Sequence, residues 1–223
     1  MPRFSYLSIL FLCNSNLEAQ NPLSVSKPEA DNSVTAQLTS FQIADGYEVN
    51  LFADESMGIA NPVCFRWDVR GKLWVLCTWA YPQLKPGEKP DDKLFILEDK
   101  DQDGKADKIS TFADGLNMPT GFALGHGGVY LAEGPDLVHL RDTNGDGKAD
   151  QREVLFTGFG TGDTHQNINS LAWSPGGELF FCQGLHCFSR VQTPWGIARL
   201  DEHGSWRLRP LRRQLHTYRR TSG

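Results

Sequence analysis

The sequence predicts an all-β chain organised as a β-propeller that is incomplete within its 223 residues. Three observations carry this expectation. From Phe41 onward, short apolar runs alternate with Gly, Pro and Asp clusters, and 22 Gly with 12 Pro make the chain turn-rich. Beyond Phe41 no window of about 11 residues or more has apolar positions at helical spacing. A unit of strand, Gly-containing turn and aromatic strand also recurs along the chain.

In chain order, the N-terminus has Arg3, an apolar stretch from Phe4 to Cys13 and a polar segment ending in Ala19. That is the layout of a secretory signal over residues 1–19, and it predicts export to the periplasm or cell envelope. The apolar run is far shorter than the roughly 20 residues a membrane helix needs. Residues 20–40 are polar and aperiodic and read as a linker. Strands are then expected at Tyr47–Phe52, Lys72–Leu76, Lys93–Leu97, Gly128–Leu131, Leu137–Leu140, Val154–Phe156 and Glu178–Phe181.

The repeat turns these strands into an architecture. Asn61–Asp68 with Gly71–Val75, Met118–Leu124 with Gly127–Leu131, and Asn169–Ser174 with Gly176–Phe181 are three copies of one unit. The aromatic positions Trp74, Tyr130 and Phe180 are spaced by 56 and 50 residues, which suits four-stranded propeller blades carrying a loop insertion. A propeller has to close to hide its sheet edges, and residues 41–216 hold only three or four such units. The expectation is therefore a partial ring completed by other sequence. One more strand pair is expected after Trp195–Leu200, and the Arg-rich end finishes in a tail at residues 217–223.

The strongest chemistry sits in two copied loops. Asp99, Asp101, Asp103, Gly104, Lys105 and Asp107 recur as Asp142, Asn144, Asp146, Gly147, Lys148 and Asp150. Calcium takes roughly six to eight oxygens, and side chains at positions 1, 3 and 5 of such a loop converge as it curls. The glycine at position 6 allows the sharp turn. The carbonyl of Lys105 or Lys148 follows at position 7, and Asp107 or Asp150 at position 9. Glu153 stands at position 12 of the second loop, the bidentate place, whereas the first loop has Ser110 there. Two calcium sites are expected, the second the tighter.

The net charge of −5 argues against nucleic acid as the main partner. Cys64, Cys77, Cys182 and Cys187 follow the signal and allow three pairings. They contain no CxxC pair for a zinc ribbon or c-type haem. The plain reading is small buried residues at strand ends, although His186 between Cys182 and Cys187 suggests a metal alternative. The Gly-rich segment Gly158–Asn169 is the candidate site. His165 can act as a general base, Asp163 can orient it, and Asn167 can bind a polar ligand.

Several of these stretches together resemble a known family: Phe41 through the Gly46–Phe52 run, the Asp99 and Asp142 loops, Met118–Gly121, Asp163-Thr164-His165 and Thr193–Gly196. They are similar to the large "membrane-bound dehydrogenase" propeller proteins of planctomycetes and verrucomicrobia, themselves similar to soluble quinoprotein glucose and sorbosone dehydrogenases. The resemblance spans residues 41–212 and makes this chain an N-terminal part of such a protein. It implies a six-bladed propeller, bound calcium, pyrroloquinoline quinone as cofactor, and oxidation of a sugar or alcohol. It also implies a cytochrome c-type electron acceptor, for which this chain has no CxxCH site. In the quinoprotein enzymes a His shortly before an apolar strand removes the substrate proton. His165 corresponds loosely, six residues before Leu171 rather than five. The competing expectation is a non-catalytic module that binds carbohydrate or protein. What separates the two is whether His165 and basic side chains line one pocket.

Overall fold

The computed structural model describes residues 31–218. The signal expected at residues 1–19 lies outside the described residues. At the end of the expected linker, Val34–Ser40 form a short helix, α1, capped by the Ser33 hydroxyl accepting from the Ala36 N–H at 3.2 Å. It buries nothing. Among the described residues no helix is long and apolar enough to cross a membrane.

The rest is all-β. Four strands, β1 (Pro62–Trp67), β2 (Leu73–Cys77), β3 (Asp92–Glu98) and β4 (Lys108–Leu116), form a first antiparallel sheet in sequential order. A second follows the same order with β5 (Pro119–Gly125), β6 (Gly128–Glu133), β7 (Asp136–Arg141) and β8 (Gln151–Thr157). The third uses β9 (Asn169–Trp173), β10 (Leu179–Gln183), β13 (Gly204–Arg209) and β14 (Gln214–Tyr218). A hairpin of β11 (Phe188–Thr193) and β12 (Gly196–Asp201) interrupts the third sheet. Each copy of the sequence repeat is the first two strands of one sheet. The strand pair expected after Leu200 is β13 and β14, and β14 runs two residues into the expected tail.

One expected strand is absent. Tyr47–Phe52 alternates as a strand should but has no neighbouring strand to pair with. It is tethered instead to the first Asp-rich loop. The Ala106 N–H donates to the Phe52 carbonyl at 2.8 Å, and the Asn50 side-chain amide donates to the Gly104 carbonyl at 3.1 Å.

The core lies between successive sheets. Leu76, Leu94, Ile96 and Phe112 of the first sheet pack with Phe122, Val129, Leu131 and Leu140 of the second. Ala123, Tyr130, Ala132 and Leu137, on the other face of the second sheet, pack with Leu171, Leu179, Phe181 and Trp206 of the third. The middle sheet is thus buried on both faces, and its strands read as continuous apolar runs rather than alternating ones. The free face of the first sheet is partly covered by Phe52, Ala53 and Ile59.

The crossing from the first sheet to the second is fixed by one carboxylate. Asp92 opens β3 and is fully buried. One of its oxygens accepts from the Trp79 and Ala80 N–H groups at 2.6 and 3.0 Å. The other accepts from the Thr78 hydroxyl at 2.7 Å and the Met118 N–H at 2.9 Å. These four donors replace the water a buried carboxylate gives up. They tie the β2–β3 connection to the residue that leads into β5. Asp92→Ala strands these buried donors and should cost on the order of 3 kcal/mol, while Asp92→Asn, which keeps one acceptor oxygen, should cost about 1–2 kcal/mol. Urea unfolding checks this: the midpoint should fall in that order with the slope unchanged.

Candidate functional site

The first strands of the three sheets meet. β5 lies between β1 and β9. The Thr120 hydroxyl donates to the Ile168 carbonyl at 2.5 Å, and a Cβ added at Gly121 would sit 3.4 Å from the Leu171 side chain. Arg66, on β1, reaches over to donate to the Leu171 carbonyl of β9 at 3.4 Å. A cavity of about 590 Å³ opens where these strands begin. Its wall includes Arg66, Thr78, Tyr81, Thr120, His165 and Asn169.

His165 enters this wall from a short 3-10 turn, Thr164–Gln166, capped by Asp163. One Asp163 oxygen lies 3.0 Å from the His165 Nδ1 and also accepts from the His165 N–H at 3.0 Å. The other accepts from the Gln166 side-chain amide at 3.1 Å. The bonds from His165, its ring first, hold the Asp163 carboxyl below the usual carboxylate range. A carboxylate can only accept, so Nδ1 carries a proton, and in the neutral ring Nε2 is then the nitrogen with the lone pair. The imidazole also meets the Tyr81 ring edge-on, with centroids 5.2 Å apart. Asp163 and His165 are thus brought together as the sequence suggests.

Asn167 is not at the ligand surface. It is 1% exposed, and neither atom of its side-chain amide has a partner. Asn169 takes the place on the cavity wall. Arg66 is the residue sequence reasoning missed. The aligned positions of the other two repeats hold Ala123 and Ala172, so a cation that interrupts the repeat was the available signal.

The two Asp-rich loops join β3 to β4 and β7 to β8 and share one wiring. At position 1, Asp99 accepts from the Gln102 and Gly104 N–H groups, and Asp142 from those of Gly145 and Gly147, all at 2.7–3.0 Å. At position 5, Asp103 and Asp146 accept from the Lys105 and Lys148 N–H groups, both at 2.8 Å. At position 3, Asp101 and Asn144 accept from Asp103 and Asp146. At position 9, Asp107 accepts from the Lys100 N–H at 2.6 Å, and Asp150 from the Thr143 N–H and hydroxyl. The Thr143 hydroxyl and N–H hold the Asp150 carboxyl below its usual range. Gly104 and Gly147 take φ values of 84° and 89°, the left-handed turn expected at position 6.

Oxygens of Asp99, Asp101 and Asp107 lie within 4.8 Å of one another, a hard-donor set that suits calcium. Glu153 is the residue expected at position 12 of the second loop. It lies inside β8 opposite His139, and its carboxylate is paired with Arg213. Ser110, the residue at that position in the first loop, is likewise in β4. Among the described residues neither Cys182, His186 and Cys187 nor the acids of the second Asp loop gather their ligand atoms as Asp99, Asp101 and Asp107 do. All four described cysteines are free, and burial pushes the Cys77 thiol up to about 11.

In each of these sheets the Asp loop stands at the opposite end of the strands from the cavity, because β3 leaves the cavity end and β4 returns to it. An ion held in those loops would cross-link backbone and would not touch a ligand in the cavity. Pyrroloquinoline quinone carries three carboxylates, and among the described residues the cavity wall offers one guanidinium, that of Arg66, so these residues alone would not balance its charge.

Residues 33–223 match the family model described as a domain of unknown function, DUF7133. The chain belongs to that family. No curated protein matches it.

The Asp163 contact sets an expectation for the imidazole. Nitrogen-detected NMR of neutral His165 should report the Nδ1–H tautomer, and Asp163→Ala should shift it toward the Nε2–H form that free imidazole side chains prefer. An Nε2–H tautomer in the unaltered chain would show that Asp163 does not orient the ring.

Proposed function

We propose that this chain is a section of an exported, calcium-binding β-propeller of the six-bladed type that binds a sugar or alcohol in the cavity beside His165. The observation that carries the reading is that His165, oriented by Asp163, shares one cavity with the basic side chain of Arg66 where three first strands meet. Three successive four-stranded meanders with buried layers between them support the propeller, since such blades pack face to face around a common axis. The hydroxyls of Thr120 and Ser170 and the amide of Asn169 offer partners for ligand hydroxyls, and Tyr81 offers a ring to pack on the apolar side of a sugar.

His165 gives the reading its chemistry. Its Nε2 lone pair can take a proton from a hydroxyl held in the cavity, and Asp163 favours the imidazolium that results. That is the proton step an alcohol or sugar dehydrogenase asks of its base. Proton removal alone does not oxidise an alcohol: the carbon-bound hydrogen with its two electrons would have to pass to a two-electron acceptor bound beside it, from which a cytochrome c-type partner would draw electrons one at a time. Calcium in the two Asp loops would have a structural role, stiffening the far ends of the first two sheets, and export would bring the loops into contact with abundant calcium.

Two measurements test this. On addition of an aldose at millimolar concentration, the imidazole resonances of His165 should move while those of His126 and His139 stay in place; no movement with any aldose or simple alcohol removes the ligand reading. Calorimetry should count two calcium ions per chain, reduced to one by Asp99→Ala or by Asp142→Ala. Glu153→Gln should leave both sites intact, since that carboxylate is engaged with Arg213. An unchanged count in both Asp variants would reject the calcium assignment.

A further inference from the structure

The cavity has an electrostatic character that the rest of the chain lacks. The chain has 27 acidic against 22 basic residues and a net charge of −5. Yet among the described residues the cavity wall contains Arg66 and His165 and no Asp or Glu. Two acids bonded to wall residues have their oxygens engaged. Asp163 is bonded to His165 and Gln166, and Asp92 is fully buried among the donors of residues 78–80 and Met118. Arg66 forms no ion pair with any described carboxylate. Its described bonds go to two carbonyls, those of Phe65 at 2.7 Å and Leu171 at 3.4 Å. Carbonyls orient a guanidinium without neutralising it, and three of its five N–H donors remain for a ligand.

We infer that the ligand of this cavity is an acidic sugar or hydroxy acid, a hydroxylated carboxylate of the uronate or aldonate type, with Arg66 holding the carboxylate and His165 facing a hydroxyl. The inference rests on the reading of the cavity as a sugar or alcohol site and narrows its substrate class. A planar guanidinium pairs with a carboxylate through two parallel hydrogen bonds, which give direction as well as charge. A neutral sugar uses only the hydroxyl partners and leaves the guanidinium without its charge partner.

The test is calorimetric titration of the full chain with D-glucuronate, D-gluconate and D-glucose. At least one of the acids should bind about tenfold or more tightly than glucose, the scale of a charge-assisted hydrogen-bonded pair. Arg66→Gln should abolish that margin, bringing the acids to the affinity of glucose. Arg66→Lys, which keeps the charge and loses the planar fork, should retain part of it. A second measurement needs no substitution: raising the salt from 20 to 500 mM should weaken binding of the acid and leave glucose unaffected. Equal binding of glucose and both acids, unaffected by salt and by Arg66→Gln, overturns the inference while the sugar site stands. Failure of all three ligands to bind overturns both.

Discussion

The structure depends on how the chain leaves one sheet and enters the next. Each meander buries its faces only if the following first strand starts at the right place, and that crossing is held by buried polar side chains rather than by apolar contact alone. Asp92 is the clearest case, a carboxylate with no exposed surface satisfied by one hydroxyl and three backbone N–H groups. Glu133, at the end of β6, accepts from the Asn117 N–H just before β5, and burial pushes its carboxyl above the usual range. Gln183, at the end of β10, does the same work for the third sheet. It donates to the carbonyls of Cys187, Leu200 and Glu202 and accepts from Ser189 and Trp206, which seats the β11–β12 hairpin. All three anchors stand at the cavity end of their sheets, so what fixes the fold also fixes the cavity rim.

The opposite end has a device of its own. The Asp loops are already curled by hydrogen bonds from their own backbone to their own carboxylates, and each is clasped to an earlier segment by one contact. The Ala149 N–H donates to the Phe112 carbonyl at 2.7 Å, just as the Ala106 N–H donates to that of Phe52 at 2.8 Å. The repetition shows that the segment around Phe52 stands, relative to the first sheet, where β4 stands relative to the second. Both are preceded or followed by the same chemistry, Phe-Ala-Asp in residues 52–54 and again in 112–114. The sequence of Tyr47–Phe52 is therefore that of a strand, although it joins none of the sheets among the described residues.

This explains how much could be read beforehand. Strands of the middle sheet were legible because burial on both faces makes them dense apolar runs, as in Leu137–Leu140. β4 was not, because it is an outer strand with Phe112 and Leu116 as its buried residues, and Ser110, Thr111 and Asp114 dilute the pattern. α1 was missed in a polar stretch that buries nothing, where no apolar period exists to find. The acidic loops were legible because their geometry is local, set within about ten residues by side chain to backbone bonds. Glu153 is the complementary case. Counting positions carries the loop past the point where β8 begins, and the carboxylate pairs with Arg213, 60 residues further on, which no local reading shows.

The candidate site divides along the same line. His165 and Asp163 are two residues apart and their relation follows from a turn, so a sequence reader can pair them. Arg66 comes to the same cavity from β1 and bonds a carbonyl 105 residues away, which only the meeting of the first strands brings about. Its value depends on that route. Other arginines of the chain pair with surface acids, as Arg209 at the end of β13 does with Glu178 and Arg213 in the turn before β14 does with Glu153. On a first strand Arg66 faces neighbours that are themselves first strands, with Pro62, Met118, Thr120 and Asn169 around it and no carboxylate among them. The fold thus brings a guanidinium with no carboxylate partner into an acidic chain's cavity without any clustering of basic residues in the sequence. It does so by placing Arg66 where three strands converge, while Asp163 and Asp92 are bonded to other groups.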